Sequence, residues 1–427
     1  MKTLIKNAHV VLPNEVTDAD ILIEDGYFVQ IEPNLSDVEA DKIIDAHHQL
    51  VMPGLVDVHV HFRDPGQTQK EDVITGSHSA ARGGFTTVLT MPNVTPVPDT
   101  PEKMQKMVQN NEQKSIVHIA QYGAITKNRT SEELVDFKAL KDAGAVAFSN
   151  DGNGIQTAQT MYKSMLAVKK LNLPLAAHVE DESLMQKGVM NAGKVADELG
   201  LPGISELAET AQLARDLEIA RNTGAHYHVC HVSKARSVEL IRRAKADGVN
   251  VTAEVAPHHL YLDESMITMD NPMMKMNPPL RTLEDRQALL SGLLDGTIDV
   301  IATDHAPHTV EDKTGSMQTA SFGITGLETA FALMYTKLVK PGLVNIEQLI
   351  DWMSLKPAQI FDLNQAGVIK VGRPADLTIM NTDDEYEIKE ADFASKGKNT
   401  PFIGQKVYGQ TQLTMVSGKV VYQREGK

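Results

Sequence analysis

The chain has 427 residues, 42% of them hydrophobic and 23% charged, which suits a globular protein able to bury a large core, either as two or three domains or as one barrel with an appendage. Its 41 basic and 56 acidic residues leave a net charge of −15; this repels phosphate backbones, and with no compensating basic patch in the sequence, nucleic-acid binding is not expected. No apolar run approaches the ~18 residues of a membrane span, charge breaks the N-terminus too early for a signal peptide, and the single cysteine, Cys230, excludes an internal disulfide or a multi-cysteine metal site, so a cytoplasmic location is expected.

In chain order, Leu4–Leu12 and Asp20–Ile31 read as β-strands, with Glu24-Asp25-Gly26 as a hairpin signal. Between residues 52 and 365 the texture changes to alternating short apolar strands and helical stretches. Eight strands are predicted there: Leu55–Phe62, Thr86–Pro92, Ile116–Gly123, Ala145–Asp151, Pro174–Glu180, His226–Ser233, Val251–Pro257 and Asp299–Pro307. Ser205–Arg221 and Ser237–Ala246 have helical spacing. Strand–helix alternation implies a parallel sheet, and eight units over this length fit a closed (β/α)8 TIM barrel. An open doubly wound sheet is the alternative, but no Gly-x-Gly-x-x-Gly follows the first strand. Gly367–Met380 and Thr411–Tyr422 are again β-prone. Neither terminal β segment is long enough to stand alone, so residues 1–51 and 366–427 are expected to form one small β-sandwich beside an α/β barrel of residues 52–365.

Chemistry-bearing residues gather at the strand ends. In Asp57-Val58-His59-Val60-His61-Phe62, side chains two apart share a face. His59 and His61 should therefore point inward and the valines toward the helices. Two imidazoles on one face near a strand's C-terminal end suit zinc or a similar metal; alone, the pair equally suits two hydrogen-bonded core residues. The fourth strand ends in Asn150-Asp151-Gly152, which is also a plain turn signal. The fifth carries His178, the sixth His231 and the eighth Asp304. Catalytic groups of TIM barrels sit at the C-terminal ends of strands, and six such ligands falling there by chance is improbable. By alternation Cys230 faces opposite to His231, as inert core, with His226 and His228 structural on its face. His258 and His259 receive no ligand role. Glu180-Asp181-Glu182 reads as a solvated helix start. Thr309–Ala320, polar around Gly315, is either a mobile lid or a plain surface loop.

The stretch Pro53-Gly54-Leu55-Val56-Asp57-Val58-His59-Val60-His61-Phe62-Arg63-Asp64-Pro65-Gly66 resembles the first signature of the long bacterial dihydroorotases in the amidohydrolase superfamily. Ala302-Thr303-Asp304-His305-Ala306-Pro307-His308, followed by Lys313, resembles the second. Met91-Pro92-Asn93, Phe148-Ser149-Asn150-Asp151-Gly152 and Phe322-Gly323-Ile324-Thr325-Gly326-Leu327-Glu328-Thr329 are similar too, so the resemblance covers nearly the whole chain. It implies a metal site of His59, His61, His178, His231 and Asp304 holding one or two Zn²⁺ ions. Asp151 stands where many relatives carry a bridging carboxylated lysine. It also implies reversible hydrolysis of dihydroorotate to carbamoyl-aspartate, a step of pyrimidine biosynthesis, with Asp304 as general base and then acid. Arg63, Asn93, Asn277 and His308 would contact the substrate, and Phe322 and Gly323 would supply backbone hydrogen bonds to its ring. Arg63 could instead pair with Asp64. The competing readings are another cyclic amidase, such as a hydantoinase or allantoinase, and a non-catalytic scaffold for a carbamoyltransferase. The sequence leaves open both a homodimer and a carbamoyltransferase partner.

Overall fold

The computed structural model describes residues 1–424. Eight parallel strands, Leu55–Val60, Phe85–Thr90, His118–Ala124, Ala145–Ser149, Leu175–Ala177, Tyr227–Val229, Val251–Val255 and Val300–Ile301, pair each with the next in chain order. A bridge between Val60 and His305 joins the last to the first and closes the barrel. The two helices expected from spacing are present as Leu207–Thr223 and Ala235–Ala246.

The fifth, sixth and eighth strands stop short of their expected ends, at Ala177, Val229 and Ile301. Beyond those points the backbone turns to aim side chains into the barrel mouth. His231 and Asp304 take positive φ values of 33° and 50°, conformations that cost non-glycine residues energy and that cluster at functional sites. Alternation fails in two places as a result. Cys230 does not face away from His231: its sulfur lies within 4.8 Å of donor atoms of His59 and Glu254, and it packs inside the barrel. The second failure is Val58. The register against Phe85–Thr90 slips between Asp57 and Val60, as at a bulge. Val58 therefore packs inward with Tyr122, Ala147, Ala176 and Cys230, while Val60 joins the outer core.

Both termini build the second sheet, in the order Lys419–Gln423, Gln410–Val416, Leu377–Asn381, Leu50–Pro53, Lys2–Leu12, Glu15–Glu24 and Tyr27–Glu32, with Lys42–Asp45 also on Lys2–Leu12. The layers of the expected sandwich thus belong to one continuous sheet around a core that includes Ile5, Val10, Ile21, Phe28, Leu377 and Leu413. The expected hairpin turns at Asp25 and Gly26, both at positive φ, the geometry that matches strand twist. Residues 386–407 leave this sheet. They form a small ribbon, Tyr386–Glu387 with Lys406–Val407, and Ile388, Phe402 and Val407 join the barrel's core. No helix among the described residues is long and apolar enough to cross a membrane.

Candidate active site

The barrel mouth opens into a cavity of about 380 Å³ lined by His61, Arg63, Asn93, Asp151, His178, His231, Asn277, Asp304, His308, Phe322 and Gly323. His59 lies fully buried beside it. All the expected site residues therefore come together, from strands far apart in sequence.

Asp151 sits among four imidazoles. Its Oδ1 is 3.3 Å from His59 Nε2, 3.4 Å from His231 Nε2 and 3.7 Å from His178 Nδ1, and its Oδ2 is 3.5 Å from His61 Nε2. Asp304 Oδ1 lies 3.0 Å from His61 Nε2 and 3.4 Å from His59 Nε2. Two ligand groups result, His59–His61–Asp151 and Asp151–His178–His231, and Asp151 belongs to both. Its shorter reach is thus enough to stand between them. His59 Nε2 and Asp151 Oδ1 are buried and have no hydrogen-bond partner, an arrangement that is costly unless something else satisfies them. The electrostatics agree. Burial would lower His178, yet Asp151 and Glu180 raise it to about 10. Burial would raise the Asp304 carboxyl, yet the charge of His59 and the hydrogen bond with His61 hold it well below the usual range. The pocket calls for positive charge, and nitrogen and carboxylate donors with this spacing fit zinc or a similar divalent metal.

Neighbouring groups fix the ligands' orientation. Glu254, buried in the seventh strand, takes His59 Nδ1 at 2.5 Å, His228 Nε2 at 3.1 Å and the His231 N–H at 3.2 Å. Burial alone would raise its carboxyl, but His59 and His228 hold it down to about 2. Asn93 Oδ1 lies 2.8 Å from His61 Nδ1, which leaves Nε2 facing the carboxylates. Burial raises the Cys230 thiol, which favours its neutral form. Glu180 does not sit in a solvated helix start. It is buried, 3.6 Å from His178 Nε2, and accepts from Asn277 Nδ2 at 2.6 Å. Only Asp181 caps the turn that follows. His258 and His259 are buried and pushed down, by burial first. His259 Nε2 meets the carbonyl of Pro278, beside Asn277, at 2.9 Å.

The other end of the cavity is cationic. Arg63 has a positive φ of 58° and does not pair with Asp64, whose ion pair is with Lys114. Its guanidinium reaches only the Pro307 carbonyl and His308, each at 3.4 Å. Burial lowers it to about 10, so it stays charged, and its fork suits a carboxylate. Burial first, then Arg63 and Lys70, push His308 down to about 3, so its ring is neutral. The ring meets the Phe322 carbonyl at 2.8 Å through Nε2 and Lys70 Nζ at 3.2 Å through Nδ1. Gly323 is already engaged: its N–H donates to the Lys275 carbonyl, and its carbonyl accepts from Lys313 Nζ and Asn399 Nδ2. Phe322 and Gly323 both line the cavity, and the Phe322 N–H has no hydrogen-bond partner among the described residues. Residues 309–320 are anchored by three buried side chains, Lys313, Met317 and Ala320. Lys313 donates to the carbonyls of Lys275, Ser321 and Gly323 at 2.9–3.0 Å.

Residues 48–237 match the family model described as "Dihydro-orotase-like". The curated "Dihydroorotase" of Pediococcus pentosaceus is 76% identical over 426 residues, covering 100% of both chains. That of Lactobacillus helveticus is 60% identical, again covering 100% of both. The chain belongs to the dihydroorotase family of the amidohydrolase superfamily. It is a hydrolase of cyclic amides, with the family's barrel and terminal sheet. Among solved structures, the L-hydantoinase (dihydropyrimidinase) of Arthrobacter aurescens superposes with a TM-score of 0.88 at 30% identity, covering 99% of this chain and 96% of that one. The dihydropyrimidinase of Brevibacillus agri gives 0.87 at 22% identity, over 99% and 95%, and so supports the fold alone.

Proposed function

We propose that this chain interconverts dihydroorotate and N-carbamoyl-aspartate in the cytoplasm, with zinc held by His59, His61, Asp151, His178, His231 and Asp304. The observation that carries the reading is one cavity with a carboxylate-and-imidazole cluster at one end and an unpaired guanidinium, Arg63, at the other. A ring bearing both an amide and a carboxylate fits those two ends. A hydantoinase or dihydropyrimidinase substrate need carry no carboxylate and would leave Arg63 without a partner.

When bound, zinc acidifies water and polarises the amide carbonyl. The rest is work for the protein's own groups. Arg63 grips the ring carboxylate, helped by neutral His308 and by Asn93. Asp304, ionised at neutral pH, takes the proton of the attacking water. The water oxygen bonds to the amide carbon, the ring C–N bond breaks, and Asp304 returns the proton to the leaving nitrogen. Asn277 and the Phe322 backbone hold the ring in register. The same groups cyclise carbamoyl-aspartate in reverse.

The deciding experiment is ring opening of L-dihydroorotate by purified protein, measured before chelation, after it, and after zinc return. Activity that is lost and then restored is expected. Absence of turnover despite bound zinc would overturn the substrate assignment. Turnover unaffected by complete metal removal would overturn the metal's role.

A second expected outcome concerns pH. Carbamoyl-aspartate carries one more ionised carboxylate than the ring, so cyclisation consumes a proton. Linkage then requires the ratio of ring to open form at equilibrium to rise about tenfold per pH unit of acidification above the carboxylate range. Mixtures brought to equilibrium by the enzyme two pH units apart should differ about a hundredfold in ratio; equal ratios would contradict the reaction as written.

A further inference from the structure

We infer that Asn399, from the C-terminal part of the chain, is a positioning residue for the substrate. It locks together the two barrel loops that hold the substrate, one through His308 at the carboxylate and one through the Phe322 backbone at the ring; this rests on the function proposed above. Asn399 does not line the cavity. It is buried, and its side-chain amide and its carbonyl are spent on those loops. Its Oδ1 accepts from the His308 N–H at 2.9 Å. Its Nδ2 donates to the Ala306 carbonyl at 3.0 Å and the Gly323 carbonyl at 3.1 Å. Its own carbonyl accepts from the Thr325 N–H at 2.9 Å. One side chain thus ties residues 306–308 to residue 323, and its backbone holds residue 325.

The segment that carries Asn399 is itself strapped to the barrel. Buried Glu328 accepts from the N–H groups of Ala394 and Ser395 at 2.8 and 3.2 Å. Buried Glu71 accepts from the Ser395 hydroxyl and the Lys396 N–H. Lys396 Nζ pairs with Asp72 and donates to the Thr68 carbonyl. At Gly397 the strap presses against the loop: a Cβ there would lie 2.6 Å from the Cβ of Pro307 and 2.7 Å from Asn399 Oδ1. Only glycine permits that approach. The two loops also meet directly, the His308 ring at the Phe322 carbonyl and the Ala306 N–H at the Ile324 carbonyl, each at 2.8 Å. The strap adds four hydrogen bonds from beyond the barrel to these two, and small errors in such spacing are expensive for a binding site.

The test compares Asn399→Ala with the wild type on three readouts: steady-state kinetics with L-dihydroorotate, metal content, and amide hydrogen exchange of the metal-free, substrate-free protein. KM should rise about tenfold or more with kcat changed less than about threefold, a split that a general loss of folded protein would not give. Metal content should match the wild type, since none of the metal ligands touches Asn399. Exchange should speed up in peptides covering residues 304–310 and 320–326. Unchanged KM, or a loss confined to kcat that tracks lost metal, would overturn the inference. If the wild type does not open dihydroorotate, the function proposed above falls, and exchange alone judges the clamp: unchanged protection in both peptides overturns it. If Asn399→Ala does not fold, Gly397→Ala keeps the amide but pushes the strap off Pro307. It should raise KM in the same way, and an unchanged KM there overturns the inference as well.

Discussion

Replacing Asp304 by asparagine will lower kcat for ring opening by about 10²–10⁴-fold, the usual contribution of a positioned acid–base group, in protein that still binds zinc. Asp304 and Asp151 are the two carboxylates that line the cavity among the described residues. Both oxygens of Asp151 are committed among the four imidazoles. Asp304 contacts the histidines through Oδ1 alone, so its second oxygen is free to carry a proton between water and nitrogen. Asparagine keeps a neutral oxygen for the metal side and the shape of the site, but it accepts no proton. The check is kcat and bound zinc measured on the same sample. More than about a tenth of wild-type turnover at full loading would move the proton transfer to another group.

Replacing Glu254 by glutamine will weaken zinc binding by about 10–100-fold, the range found when a ligand's hydrogen-bond partner is lost, although Glu254 itself faces no substrate. Its carboxylate serves three donors at once: His59, His228 and the His231 backbone. It thereby favours a His59 proton on Nδ1, so that Nε2, on the side of Asp151 and Asp304, would be free to hold a metal. Glutamine can still accept from His59 and the His231 N–H through one oxygen. Its amide would then face His228, whose other nitrogen meets the Thr252 hydroxyl at 2.8 Å; a hydroxyl can exchange donor and acceptor roles, so the shape survives. What disappears is the negative charge that makes the His59 imidazole a stronger ligand. Competition with a zinc-binding dye measures the loss, and an affinity within threefold of wild type would reduce Glu254 to a packing role.

Strand-end chemistry made much of the site legible in the sequence. His59, His61, Asp151, His178, His231 and Asp304 lie close in sequence to the ends of apolar strands, where a barrel must aim them at its mouth. Glu254 was missed because it has no motif around it, although a lone acid in the apolar run Val251–Val255 is itself a signal, since burying an unpaired charge is costly. Glu180 was misread because two solvated acids follow it and hide that it continues the strand's inward face. Cys230 and Val58 went wrong for a shared reason. Period-two alternation assumes unbroken strand geometry, and a positive φ at His231 and a register slip before Val60 each break it. Asn399 lies 91 residues from His308, and no local pattern reports a contact of that span. Both termini were expected in one β unit, and they do share a sheet. That residues 386–407 would leave it for the barrel depended on packing that composition does not encode.

The bridge between Val60 and His305 also makes the mouth of the site depend on the full length of the barrel. It joins stretches that ribosomes deliver far apart in time, and it is made among the candidate site residues: the His61 N–H donates to the His305 carbonyl at 2.9 Å, and His61 and Asp304 meet across 243 positions. A nascent chain that has emerged only as far as residue 300 already holds every expected metal ligand except Asp304, but it has no closed mouth and no proton carrier. Barrel closure and the last of the expected ligands therefore come from the same stretch of chain, and His308, Phe322 and the Asn399 strap can take their places only after it.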